Sequence, residues 1–293
     1  MASKALAHAR AGTIVGVRRG RWGAVGVRLV AQACLLFGAA WMALPFLWML
    51  SSSVKTDDVI FRWPPLWIPT TIVWSNYAEV FHLLPMTRFI LNSSIVAVSV
   101  TLGQLVFCSL SAFAFARLQF WGRDTIFAIY LATLMIPFHI RLVPVFLVMK
   151  VLGWLDTYQV LIVPGLFSVY GTFLFRQFFL TIPQELEDAA RIDGCTSLGV
   201  LRHVILPLSG PVLATLGLFT FLAEWNDFLW PLVMTSSLNM RTVQVGLALL
   251  QNEDFTRWTV LMAGSVISLV PTTVLFLLTQ RYFVRGITIT GMK

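Results

Sequence analysis

Two groups of polar residues stand inside otherwise apolar runs. Glu224, Trp225, Asn226 and Asp227 put two carboxylates at i and i+3, with Trp230 close behind. An ionised side chain in a membrane-spanning run costs about 2.5–3.5 kcal/mol on insertion scales, so each one needs a reason. One reading is a polar path, where solute hydroxyls meet acceptors and rings meet aromatic faces. The other is packing against a partner chain, or snorkelling to the interface. His139 and Arg141 follow Pro137 in Met135-Ile-Pro-Phe-His-Ile-Arg141-Leu-Val-Pro144. A guanidinium facing a wet path can grip a carboxylate or phosphate with two parallel bonds. It can equally pair with Glu224 or Asp227, or sit among outer headgroups. Other chemistry is missing. There is no Gly-x-x-x-x-Gly-Lys-Ser/Thr loop for ATP, no His-Glu-x-x-His and no Gly-x-Ser-x-Gly. The four histidines are scattered without ligand spacing. Cys34, Cys108 and Cys195 lie far apart and read as small core residues.

These residues sit in a chain of 293 residues, 58% apolar and 12% charged, with mean hydropathy +0.81. Soluble domains carry roughly 25% charged residues, so the class is an all-α polytopic membrane protein. A span needs about 20 apolar residues. Six runs qualify: 29–50, 92–116, 125–147, 158–180, 211–234 and 258–280. Pro137 and Pro144, Pro164 with Gly165, and Pro271 read as kinks within spans three, four and six. The first run is too long for a cleaved signal and reads as an uncleaved span. The net charge of +8 does not point to nucleic acid, because the basic residues flank the apolar runs. With residue 1 inside, the inner segments hold Lys4, Arg10, Arg18, Arg19, Arg21, Arg28, Arg117, Arg123, Arg176, Arg191, Arg202, Arg281, Arg285 and Lys293, twice the outer set. Both termini are therefore expected in the cytoplasm. The expected divisions are a basic tail at 1–28 that can lie against anionic lipid, the first span and outer loop at 29–84, a core at 85–281, and a tail at 282–293.

Between spans four and five lies the one compact, charge-dense segment, 181–207. Thr181 with Gln184 fits a capping box, with Pro183 in the first turn. Leu186, Ala189, Ala190 and Asp193 share one helix face, smoothed by the two alanines, and Glu185 and Asp188 point elsewhere. Gly194 fits a position beyond the helix end that needs positive φ. A second amphipathic helix carries Leu198, Leu201 and Ile205, and Pro207 marks the start of span five. A solvated connector would not need so smooth a face, so this helix-turn-helix reads as a docking surface.

The order Asp188-Ala189-Ala190, three residues, Gly194, nine residues, Val204-Ile205-Leu206-Pro207 resembles the cytoplasmic loop of permease subunits in bacterial binding-protein-dependent ABC importers. That family usually has Glu where Asp188 stands and Ile where Val204 stands. Pro45-Phe-Leu-Trp-Met-Leu-Ser51, Asn92-Ser93-Ser94, Ala112-Phe-Ala114-Phe-Ala-Arg117, Trp225-Asn226-Asp227-Phe-Leu and Gln280-Arg281-Tyr-Phe-Val-Arg-Gly286 are similar to carbohydrate importers, second permease of the maltose-importer type. The tail after Gly286 departs from the family's pattern. The resemblance implies a pore built by this chain and a second, homologous permease. It also implies two ATPase subunits, which hold ATP and Mg, and an extracytoplasmic sugar-binding protein docking near 51–88, 138–157 and 236–257. This chain itself would be no enzyme and carry no cofactor or metal. Coupling to the ATPases would run through Glu185, Glu187, Asp188, Ala189, Ala190, Gly194 and Pro207; the substrate path would use His139, Arg141, Glu224, Trp225, Asn226 and Asp227. The substrate would be an oligo- or polysaccharide, with an acidic one such as alginate implied if Arg141 faces the path. Two rivals remain. An ion-coupled secondary transporter would use Glu224 and Asp227 but leave 181–207 without a role. A membrane enzyme would need an acid/base or metal cluster that the sequence does not offer.

Overall fold

The computed structural model describes the backbone of residues 21–251 and 256–290, and the side chains of 26–251 and 256–280. Regular structure among the described residues is all helical. In chain order the helices are α1 (Arg21–Ser53), α2 (Asp57–Ile60), α3 (Ser75–Leu83), α4 (Met86–Arg117), α5 (Arg123–Ala132), α6 (Phe138–Val151), α7 (Tyr158–Ile162), α8 (Val169–Phe179), α9 (Gln184–Ile192), α10 (Ser197–Val200), α11 (Leu206–Leu208), α12 (Gly210–Trp225), α13 (Leu229–Met234), α14 (Val243–Ala248) and α15 (Trp258–Thr290). The chain divides into two units, Met1–Trp48 and Met49–Lys293. Most of the expected basic tail and the last three residues lie outside the described part, as do 252–255 in the 236–257 loop.

Six spans are present if two bent pairs count as one each. Four are long apolar helical stretches: Gly26–Ser53, Met86–Arg117, Tyr158–Phe179 and Trp258–Gln280. The other two are bent pairs, and the first corrects the expectation of a simple kink in span three. In span three, Arg123–Met135 and Phe138–Val151 meet at 99°. Ile136 is extended (φ −84°, ψ 110°) because Pro137 follows it, and the helix cannot continue through that pair. Pro144, by contrast, stays inside α6, and Pro271 inside α15. In span four, Pro164 falls in a 3-10 turn at Val163–Leu166, and α8 restarts when the Ser168 hydroxyl accepts from the Gly171 N–H at 3.0 Å. Ser197–Leu208 and Gly210–Trp225 meet at 81°. The second helix of this pair starts at Gly210 and Pro211, in line with the expected 211, and ends at Trp225, short of the expected 234. Pro207 sits inside the preceding helical stretch. It has no N–H for the usual bond four residues back, and the turn before it, Leu201–Ile205, is widened to a π-helix.

Helix α4 is the central post of the second unit. It packs against α8 and α12, and α12 packs in turn against α15. Small residues allow the close approach. A Cβ on Gly171 of α8 would stand 3.0 Å from Cys108 Sγ of α4 and 3.1 Å from Leu216 of α12. One apolar cluster joins Phe113, Phe175, Phe179, Ile182, Ala190, Val200 and Ile205 at the α9 end. A second gathers Val80, Met86, Phe89, Trp225 and Val260. At the far end from α9, the Asp57 carboxylate accepts from Thr259 Oγ1 at 2.6 Å, and Arg257 pairs with Asp57 and Glu79. These ties pin α2 and α3 to the start of α15.

Candidate functional site

Helix α9 is attached to the helix bundle by one side of its surface. Glu187 (3% exposed) and Ala190 (8%) are its buried residues. Glu185, Leu186, Asp188, Ala189, Ile192 and Asp193 are exposed. The expected smooth face is thus split: Ala190 turns inward, three residues from Glu187, while Leu186, Ala189 and Asp193 stay outside. The expected capping box is not formed. Pro183 begins the helix without a side-chain cap, and Thr181 Oγ1 instead donates to the Phe178 carbonyl at 2.7 Å. The C-terminus follows the expected chemistry. Gly194 takes φ +88°, its N–H donates to Arg191 O at 3.0 Å, and the Cys195 N–H reaches Ala190 O at 2.9 Å. Thr196 then caps α10 by accepting from the Gly199 N–H at 3.2 Å. Of the apolar trio expected in this second helix, Leu201 and Ile205 are buried and Leu198 is exposed.

Arg117 holds α9 in place. Its Nε lies 2.6 Å from Glu187 Oε1, and the two side chains are 9% and 4% exposed. Its Nη2 donates to the carbonyls of Phe179 and Ile182, both at 2.6 Å. Burial pushes the Glu187 carboxyl above the ordinary range, although Arg117 and Arg191 pull it back. In the sequence Arg117 stands out as an inner-side charge and as the last residue of the Ala112–Arg117 motif, with no sign of its partner. The usable signal was Glu187, a carboxylate on the same face as Ala190, facing a span that ends in Arg.

The second site is a pocket of about 270 Å³ lined by Phe138, Arg141, Phe167, Glu224, Asp227 and Trp230, with Pro164 and Gly165 at the broken point of span four. Three polar residues from distant parts of the sequence meet there because both spans are interrupted. The turn after Trp225 places half-buried Asp227 on the pocket wall, where its carboxylate accepts from the Trp230 N–H at 3.4 Å, and Trp230 Nε1 donates to Val160 O at 2.9 Å. Among the described residues no ion pair joins Arg141 to Glu224 or Asp227. The remaining candidates do not line the pocket. Trp225 is 1% exposed, and its Nε1 donates to Ser268 O at 3.0 Å. Asn226 donates to Leu222 O and accepts from Gln244. His139 is exposed, its ring edge-on to Phe138.

The family model described as the inner membrane component of binding-protein-dependent transport systems matches residues 104–289, which include α9, its turn and all six of the pocket residues named above. The chain belongs to this family. It is therefore a membrane transport component and not an enzyme, which sets aside both rival readings. The arabinooligosaccharides transport system permease protein AraQ of Halalkalibacterium halodurans is 39% identical over 226 residues, 77% of this chain and 81% of that protein. The sn-glycerol-3-phosphate transport system permease protein UgpE of Salmonella choleraesuis is 35% identical over 271 residues, 89% and 96% of the two chains. A crystal structure of a bacterial ABC transporter involved in the import of the acidic polysaccharide alginate contains a chain that superposes with TM-score 0.79 at 25% identity, over 90% of this chain and 98% of that one. The fold is that of type I ABC importer permeases.

Proposed function

We propose that this inner membrane component is one of two homologous permeases that together form the pore of an ATP-driven carbohydrate importer. In this reading α9 faces the cytoplasm, as do both termini, and seats in a cleft on one of two ATPase subunits. ATP and Mg bind those partners and not this chain. A sugar-loaded extracytoplasmic binding protein docks on the opposite face, at 51–88, 138–157 and 236–257. The observation that carries the reading is the two-sided use of α9. One side is clamped to the bundle through Glu187 and Ala190. The other presents Leu186 and Ile192, 44% and 86% exposed, among Glu185, Asp188 and Asp193. An apolar pair rimmed by charge suits a groove on a partner.

The pocket is the proposed substrate path. Phe138, Phe167 and Trp230 offer ring faces, and Arg141, Glu224 and Asp227 offer donors and acceptors for hydroxyls. With both carboxyls ionised, one guanidinium beside them does not make a net-positive site, and an acidic sugar then gains no electrostatic advantage there. The relatives named above transport arabinooligosaccharides, sn-glycerol-3-phosphate and alginate. What these share is hydroxyl groups, not charge.

The test is to purify the chain from its native membrane in mild detergent, identify the co-purifying subunits, and measure Mg-ATP hydrolysis with neutral and acidic oligosaccharides and candidate binding proteins. A second permease and an ATPase, with hydrolysis stimulated by a sugar-loaded binding protein, is the expected result. A chain that purifies alone and hydrolyses nothing overturns the proposal.

A further inference from the structure

We infer that Arg117 is a positioning residue for transport, tying α9 to the pore post α4 so that displacement of α9 is delivered to the pocket. The inference rests on the proposed role of α9. One guanidinium holds three elements: it ends α4, pairs with Glu187 of α9, and donates to Phe179 and Ile182 at the junction of α8 with the loop. Arg is the side chain suited to this, because its planar fork holds several acceptors at fixed angles and stays charged when buried. Glu187 is turned inward and is not offered to a partner, unlike Glu185 and Asp188. The other end of the link lies along α4. Gln104 donates to the carbonyl of Gly165, a pocket residue, at 2.8 Å and accepts from Thr220 of α12 at 3.0 Å. Gln104 and Arg117 lie about 20 Å apart along one helix. Side-chain ties near the two ends of this stretch of α4 thus attach one rigid element to α9 and to the broken point of span four. Such an element carries coupling between distant sites when both sites bias its position.

Val145 of α6 also lines the pocket, and the test uses the co-purified complex with Cys34, Cys108 and Cys195 changed to Ala and Val145→Cys as a reporter there. The reaction rate of this cysteine with a water-soluble maleimide is measured with and without vanadate-trapped ATP. In the parent the rate should change about fivefold on trapping. In R117M/E187M, which keeps the buried volume but removes the charges, the change should disappear while ATP hydrolysis and subunit stoichiometry persist. E187Q keeps the size of the side chain and weakens the pairing, so it should lie between. If R117M/E187M does not assemble, E187Q against the parent decides. A parental response in every assembled variant overturns the role of Arg117 alone. A parent complex that hydrolyses no ATP overturns the reading of α9, and this inference with it.

Discussion

At the scale of single residues, the coupling segment depends on two different kinds of constraint. Gly194 is constrained by its backbone. At φ +88° a side chain is strained, so Gly194→Ala should lower stability by about 1 kcal/mol without touching any contact. Thermal unfolding of the purified complex measures this, and an unchanged midpoint would contradict it. Gly194→Pro and Ala190→Trp should go further, uncoupling ATP hydrolysis from uptake while the chain still inserts. Ala190 is buried among Ile182, Val200 and Ile205, leaving no room for an indole. Arg117 is constrained by charge. Arg117→Ala leaves Glu187 buried without its partner, at a cost of about 3–5 kcal/mol, and R117M/E187M should cost far less. Equal losses in the two variants would show that volume, not charge, matters there.

At the scale of elements, the breaks matter more than the spans. Ile136 is extended because Pro137 follows it, and the resulting 99° bend brings Phe138 and Arg141 to the wall of the pocket. Pro137→Ala removes the restriction on Ile136. Transport should fall although α5 and α6 remain helical, and normal uptake would mean that packing alone keeps the bend. The crossing of α4, α8 and α12 depends on Gly171 in the same local way. Gly171→Leu places a branched side chain where Cys108 and Leu216 already touch, and should destabilise by about 1–3 kcal/mol. Stability in detergent reports it directly. Prolines at 137, 144, 164 and 271 were all legible in the sequence, but their consequences were not. Pro137 and Pro164 interrupt a helix whereas Pro144 and Pro271 stay inside one, so the residue type alone does not decide the outcome.

At the scale of the whole molecule, the question is what the pocket selects. In the proposed reading, charge is not the discriminating property where Arg141, Glu224 and Asp227 stand together. Arg141→Ala should therefore weaken uptake of an acidic and a neutral oligosaccharide of equal length to a similar degree. A far larger loss for the acidic sugar would restore an anion-binding role for Arg141. First-step specificity rests, in the proposed assembly, with the binding protein, so the pocket needs only to pass hydroxylated rings.

Hydropathy by itself determined the class and the six apolar runs, since burying backbone polar groups in lipid leaves helices as the local solution. The 188–207 spacing determined the family and the position of the loop, because a helix, a glycine turn and a second helix are short-range structures. Gly194 was readable for the same reason: positive φ is a property of one residue. Which side of α9 faces inward was not readable. Its amphipathic pattern groups Leu186, Ala189 and Ala190, yet the buried pair is Glu187 and Ala190, and the reach of Arg117 from a helix that ends 70 residues earlier than Glu187 draws that carboxylate inward. Likewise, Trp225 and Asp227 are two residues apart, yet one is core and the other lines the pocket. The turn between them, fixed by packing against α15 and α7, separates them. Long-range contacts of this kind leave no periodicity in the chain, and only the tertiary structure supplies them.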